Sequence, residues 1–166
     1  GGTIDGVLAT ANFGSRVEEA FGYLSKFRPN SPLMCMEFWI GWFDAWGNEN
    51  HMSGDLEMAE GELDKMLELG NVNFYMFEGG TNFGFMNGAN YYEGLTPDVT
   101  SYDYDAPISE SGQTTPKYWE LRKALSKYMN GEKQAKVPAL IKPIRIPSFQ
   151  FTEMAPLFDN LPAAKK

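Results

Sequence analysis

The sequence has one cysteine, Cys35, and one histidine, His51. Cys35 has no disulfide partner within the chain, and its apolar neighbours predict a buried packing thiol. A lone histidine without thiol or imidazole partners excludes the usual catalytic metal clusters. No metal and no cofactor is therefore expected, and His51 is read as a loop residue. Positive charge is also scarce: 14 lysines and arginines stand against 22 acidic residues, for a net charge of -8. That balance argues against nucleic acid, whose phosphates need stripes of lysine and arginine, and against an anionic membrane surface. No apolar run reaches the roughly 18 residues that a membrane-spanning helix requires. No leader pattern stands out, and the chain opens Gly1-Gly2-Thr3-Ile4 without methionine, which suggests a cleaved or excerpted start. The lack of disulfides fits a reducing compartment without demanding one, so cytoplasmic and exported locations both stay open. A neutral ligand suits this chain better than a polyanion.

What is present is a core-forming composition, 43% apolar and 14% aromatic, in a length of one domain or a piece of a larger one. Three apolar segments, 7–13, 33–38 and 72–77, each run into a polar, glycine-bearing loop. Their continuous apolar character predicts parallel strands covered on both faces. Three helical patterns accompany them. The first, about 15–27, opens on a Ser15/Glu18 capping box and turns Val17, Ala20, Phe21 and Leu24 inward. The second, about 55–69, places Leu56, Ala59, Leu63, Met66 and Leu67 on one face and stops at Gly70. The third begins at Thr115-Pro116, with Leu121, Ala124, Leu125 and Tyr128 inward. The nine methionines fall at core-like positions and read as gap fillers.

Strand–helix alternation of this kind belongs to a βα-barrel or a doubly wound sheet. Three such strands would leave two hydrogen-bonding edges and an apolar face uncovered, so the chain reads as incomplete. From residue 131 the character changes. Pro138, Pro143, Pro147 and Pro156 punctuate extended pieces, allow no helix and demote any strand to an edge. Residues 1–130 are thus expected to form the α/β body. Residues 131–166 form either a linker toward a missing β-rich domain or a tail packed back on that body.

The chemistry concentrates in Pro32-Leu-Met-Cys-Met-Glu-Phe-Trp-Ile-Gly-Trp-Phe-Asp-Ala-Trp-Gly47. One carboxylate, Glu37, ends an apolar run, and Trp39, Trp42 and Trp46 follow it. Aromatic rings stack on the apolar faces of a pyranose, and a carboxylate meets charge developing at the anomeric carbon. Glu37 as a strand-end residue held by a local salt bridge is the plain alternative. Trp39, two positions on, points to the same side of an extended strand and could wall a sugar pocket. Trp42 and Trp46 more simply pack under the next helix. The glycines of Gly79-Gly-Thr-Asn-Phe-Gly84 lack the lysine and spacing of a phosphate loop and suit a turn after a strand.

Four segments together resemble the C-terminal part of the catalytic barrel of family 35 glycoside hydrolases, the β-galactosidases. They are Ala11-Asn-Phe-Gly-Ser15, Met36-Glu-Phe-Trp-Ile-Gly-Trp-Phe-Asp44, Asn73-Phe-Tyr-Met-Phe-Glu-Gly-Gly-Thr-Asn-Phe-Gly84 and Thr100-Ser-Tyr-Asp-Tyr-Asp-Ala-Pro-Ile108. The resemblance covers about residues 5–130 and implies a partial TIM (β/α)8 barrel holding the sixth to eighth strands, with a Pro-rich extended tail. It implies a fragment of a retaining enzyme that hydrolyses terminal non-reducing β-D-galactose residues, with Glu37 as the nucleophile. It also implies that Tyr104 hydrogen-bonds the galactose near that nucleophile, with packing of Tyr102 and Tyr104 against the barrel top as the plainer role. Asp103 and Asp105 are expected to brace the loop. The family's acid/base lies on an Asn-Glu pair after the fourth strand, outside this chain. Asn48-Glu49 copies its spelling in the wrong loop, and Glu78, the better internal candidate, does not occupy the family's position. The chain alone is therefore expected to be inactive. Its expected partners are a β-galactoside substrate, the N-terminal part of the barrel and a C-terminal β domain. Two alternatives remain: a non-catalytic carbohydrate-binding or scaffold fragment, and a retaining barrel glycosidase of other sugar specificity.

Overall fold

The computed structural model describes residues 3–164. Three parallel strands, β1 (Ala11–Phe13), β2 (Met34–Trp39) and β3 (Asn71–Tyr75), form a sheet in the order β1-β2-β3. Two helices make the crossovers, α1 (Val17–Phe27) and α2 (Leu56–Leu69). A third, α3 (Pro116–Ser126), follows a long loop that carries a hairpin, β4 (Ala89–Tyr91) paired with β5 (Leu95–Pro97). Sheet and helices share one core, in which Phe13, Cys35 and Phe38 meet Phe21, Leu63, Met66 and Leu121. Cys35 is free and fully buried, as its apolar setting suggests, and burial pushes its thiol up.

The helix ends are where local chemistry succeeds and fails. Asp55 caps α2 by accepting from the Met58 N–H at 2.9 Å, and Thr115 caps α3 ahead of Pro116. Gly70 ends α2, yet its φ of -170° is ordinary extended backbone. Its need for glycine is spatial, since a Cβ there would lie 2.6 Å from the Leu33 carbonyl oxygen. The Ser15/Glu18 capping box does not form. Arg16 takes the N-cap position in a left-handed conformation without a side-chain cap, and the Val17 N–H donates instead to Glu62 of α2 at 2.9 Å. A carboxylate from a neighbouring helix thus satisfies the donor that a local serine would have taken.

The structure departs from the sequence expectations in four further ways. The first strand is short: Val7 and Leu8 are exposed, and only 11–13 join the ladder, because β1 has a partner on one side only among the described residues. The sheet is covered on one face, not both. Asn12, Met36, Trp39 and Asn73 remain exposed on β1, β2 and β3, on the side away from the helices. Tyr128 lies outside the core, where its hydroxyl donates to the Asp64 carbonyl at 3.2 Å. Met66 alone of the methionines is in the core cluster, whereas Met58, Met86 and Met154 are exposed. Beyond α3, residues 132–156 form no regular element and a 3-10 turn, Phe158–Asn160, follows Pro156. Its start is tied to the body, with Gln134 donating to the Arg122 carbonyl and Gln113 to that of Ile141, both at 2.7 Å.

Candidate active site

The register of β2 decides where Glu37 points. Side chains two apart share a face of a regular strand, so buried Cys35 would carry Glu37 into the core with it. Against both neighbours, however, β2 holds one extra residue. Cys35 pairs with Ala11 and Glu37 with Asn12, while Cys35 and Phe38 pair with Val72 and Phe74. This bulge at Met36 keeps Cys35 and Phe38 together in the core and turns Glu37 and Trp39 to the uncovered face. There the Trp39 indole N–H donates to Glu37 Oε2 at 3.1 Å. Asn12 stands opposite Glu37 and Tyr75 opposite Trp39 in the ladder.

Above these strand ends passes the loop that carries Tyr104. Its ring packs edge-on against Tyr75, with centroids 5.5 Å apart, stacks on Tyr102 at 5.5 Å and lies 6.0 Å from Trp42. Tyr104 is 1% exposed, and its buried hydroxyl has no hydrogen-bond partner among the described residues. Burial, then the neighbouring Tyr75 and the negative charge of Glu37, hold the phenol well above its ordinary range, so it stays a proton donor. Tyr104 and Asp105 both take left-handed backbone, φ 62° and 51°. For non-glycine residues this costs about 1–2 kcal/mol each and persists only where surroundings enforce it.

The enforcing contacts are specific. A Cβ on Gly41 would fall 1.9 Å from the Tyr104 carbonyl oxygen, and one on Gly79 would fall 1.6 Å from that of Tyr102. Bare backbone at the ends of β2 and β3 is thus what lets the loop sit down on them. Lys117, from the first turn of α3, reaches beneath it. The ammonium is nearly buried and donates to the Ile40 carbonyl at 2.6 Å, the Asp105 carbonyl at 2.7 Å and Asp105 Oδ2 at 2.6 Å. The Gly54 N–H also donates to Asp105 Oδ2, at 2.7 Å. Farther out, Asp44 accepts from the Met52 N–H and contacts His51 Nδ1 at 2.5 Å, while His51 Nε2 lies 3.6 Å from Asp103. The Asp44 hydrogen bond outweighs burial and, with the charges of Asp103 and Asp105, holds the imidazole above its usual 6.5.

Trp39 therefore holds Glu37, Tyr104 is joined to them through Tyr75, which stands opposite Trp39, and Asp103 and Asp105 brace the loop. Trp46, by contrast, is 71% exposed and packs under no helix, because its N–H is bonded to Pro97 at the edge of the hairpin. Glu49 and Glu78 are exposed. A cavity of about 200 Å³ lies between Trp39, Trp42 and the start of α2, and one of about 220 Å³ between β3 and α3. Glu37 lines neither; it faces the uncovered side of the sheet. No group of three metal-ligating side chains occurs among the described residues. Sequence reasoning missed Asn12, Tyr75, Gly41 and Lys117. Only Gly41, a glycine directly after an apolar strand, carried a signal.

The chain is 42% identical to a beta-galactosidase of Xanthomonas manihotis over 97% of its own length and 28% of that protein's. It is 43% identical to a beta-galactosidase of Bos taurus, over 93% of the chain and 23% of the relative. To beta-galactosidase-1-like protein 3 of Mus musculus it is 40% identical, over 97% of the chain and 25% of the relative. The chain thus spans about a quarter of the length of these relatives. With its residues 1–128 matched by the profile of glycosyl hydrolases family 35, the chain belongs to that family.

Proposed function

We propose that this chain is the C-terminal part of the catalytic (β/α)8 barrel of a retaining β-galactosidase, with Glu37 as its nucleophile and Tyr104 and Trp39 as substrate-binding residues. One observation carries the assignment: the bulge in β2 takes a carboxylate out of the core and sets it beside an indole donor, while Tyr75, opposite that indole, packs on a buried phenol whose hydroxyl has no partner among the described residues. A polar group buried without a partner calls for an explanation, and a substrate hydroxyl or the developing glycosyl ester would supply the acceptor. The active residues of a barrel stand at the C-terminal ends of its strands, where Glu37 and Trp39 lie on β2.

In this scheme Trp39 holds Oε2 while Oε1 attacks the anomeric carbon of a terminal β-galactoside. The bond to the leaving oxygen breaks as an acid outside this chain donates that oxygen its proton. Water, deprotonated by the same group, then attacks the galactosyl ester, releasing galactose with retained configuration and Glu37 as carboxylate. Residues 131–166 are the linker toward a following β-rich domain, and the three-stranded sheet is completed by the N-terminal part of the barrel.

The test is Glu37→Gln in the full-length enzyme. Turnover of an aryl β-galactoside should fall by about 10⁴- to 10⁶-fold. Azide should then restore activity on an activated substrate by taking the place of the missing carboxylate. Near-normal turnover in the variant would remove Glu37 as the nucleophile.

A further inference from the structure

The nearly buried Lys117 touches neither the Glu37 carboxylate nor the open face of the sheet, yet it makes three short hydrogen bonds. An ammonium has three donors, and here each has an oxygen acceptor, which is the condition under which burying that charge is tolerated. The acceptors belong to two segments. The Ile40 carbonyl is one residue past β2, three positions from Glu37. The Asp105 carbonyl and carboxylate belong to the residue after Tyr104. Both Tyr104 and Asp105 are held in left-handed backbone, which local sequence does not favour. The same Asp105 carboxylate takes the Gly54 N–H, so the loop is also fastened to the chain just before α2.

We propose that Lys117 is a positioning residue for the reaction: by tying the end of the Glu37 strand to Asp105, it fixes the Tyr104 hydroxyl relative to the Glu37 carboxylate. The proposal rests on the roles given above to Glu37 and Tyr104, and adds a third residue that acts only through them. Geometry explains why a lysine serves. A single point charge on a long stem reaches two backbone carbonyls and a carboxylate from beneath, where a planar guanidinium would need a wider slot. Without the ammonium, the two carbonyls lose their donor, and the Tyr104 backbone is free to leave its strained conformation.

A double-mutant cycle in the full-length enzyme tests this. Lys117→Met should lower kcat on an aryl β-galactoside by about 10²-fold, the usual consequence of a misplacement of about 1 Å, with little change in KM. In a Tyr104→Phe background, where there is no hydroxyl to position, the same substitution should cost less than about threefold. A lysine that merely stabilises the fold would cost the same in both backgrounds, and that additive result overturns the proposal. Unchanged kcat in Lys117→Met overturns it as well. Asp105→Asn repeats the cycle without emptying the space around the lysine and serves if Lys117→Met does not fold. It should cost about tenfold alone and nothing beside Tyr104→Phe. Additive losses with Asp105→Asn count against the proposal in the same way. Full activity in both Glu37→Gln and Tyr104→Phe would defeat the site assignment itself, and the role of Lys117 with it. Large losses in those two variants alongside an additive cycle would defeat the role of Lys117 alone.

Discussion

Alanine at Gly41 asks whether the Tyr104 loop needs bare backbone beneath it. The backbone of Gly41 is not in the left-handed region, so alanine meets no conformational penalty there and the whole effect is steric. The added methyl carbon would sit 1.9 Å from the Tyr104 carbonyl oxygen, whereas ordinary contact begins near 3.4 Å, so the two segments must part by about 1.5 Å. Neither side can yield by a side-chain rotation, because the obstructing atom is backbone. Overpacking of this kind costs about 1–3 kcal/mol, and weakening the bonds from Lys117 to Ile40 and Asp105 adds about 1–3 kcal/mol. A loss of about 2–6 kcal/mol is expected. Since the displaced residue is Tyr104, proposed to bind the substrate, kcat should also fall by about 10²-fold or more. The matched control is Gly61→Ala, in the interior of α2 with nothing near the added carbon, which should stabilise by about 1 kcal/mol. Both variants would be made in the full-length enzyme, with tryptophan-fluorescence unfolding and aryl β-galactoside kinetics as readouts. If Gly41→Ala behaved like Gly61→Ala, with kcat within threefold of the parent, the Tyr104 loop would not rest on Gly41.

Two pH-dependent outcomes accompany this. Glu62 feels burial, which raises its pKa, but the hydrogen bonds from Lys65 and the Val17 N–H outweigh it and leave the carboxyl below its usual 4.5. Its stabilising contribution is therefore present above pH 4.5 and lost as pH falls through the lower folded value. Glu62→Gln should cost about 1–2 kcal/mol at neutral pH, and unfolding curves of variant and parent should converge in acid. A gap that persisted at low pH would refute a charged cap. For His51 the sign is opposite: its folded pKa is raised, so its clip between Asp44 and Asp103 stabilises below 6.5 and fades as pH rises through the folded value. Titration of the imidazole by NMR should give a midpoint above 6.5 that Asp44→Asn lowers, and a midpoint unmoved by that change would refute the pairing.

How far the site was legible depends on the range of the forces that shape it. The caps Asp55 and Thr115 act within three residues, so α2 and α3 could be placed from sequence with their starts correct. The start of α1 could not, because its cap is Glu62, 45 positions away. Alternation put Glu37 and Trp39 on one side, which holds, but the same alternation puts Cys35 with Glu37. Only the ladders to β1 and β3 reveal the bulge that separates them. Lys117 was invisible for a related reason: a lysine in a first helical turn reads as solvated, and its three acceptors come from segments 12 and 77 positions away. The hairpin β4–β5 was missed although Gly94 marks its turn, since three-residue strands carry too little pattern to stand out.

The uncovered half of the molecule follows the same logic. On one side of the sheet, apolar residues meet three helices and are buried. On the other, Trp39 and Met36 stay 40% and 44% exposed beside Glu37. β1 and β3 each have one strand neighbour among the described residues, and the cavity between β3 and α3 is walled by Phe74, Phe77, Leu121 and Leu125. In a barrel built as proposed, the added strands would pair with these two edges, and the face bearing Glu37 would become the interior at the strand ends. Closing that face would exclude water around Glu37 and Tyr104 and strengthen the field each exerts on the other. In that arrangement this chain would hold Glu37 and its neighbours, and the proton donor would come from the N-terminal part of the barrel, across the substrate.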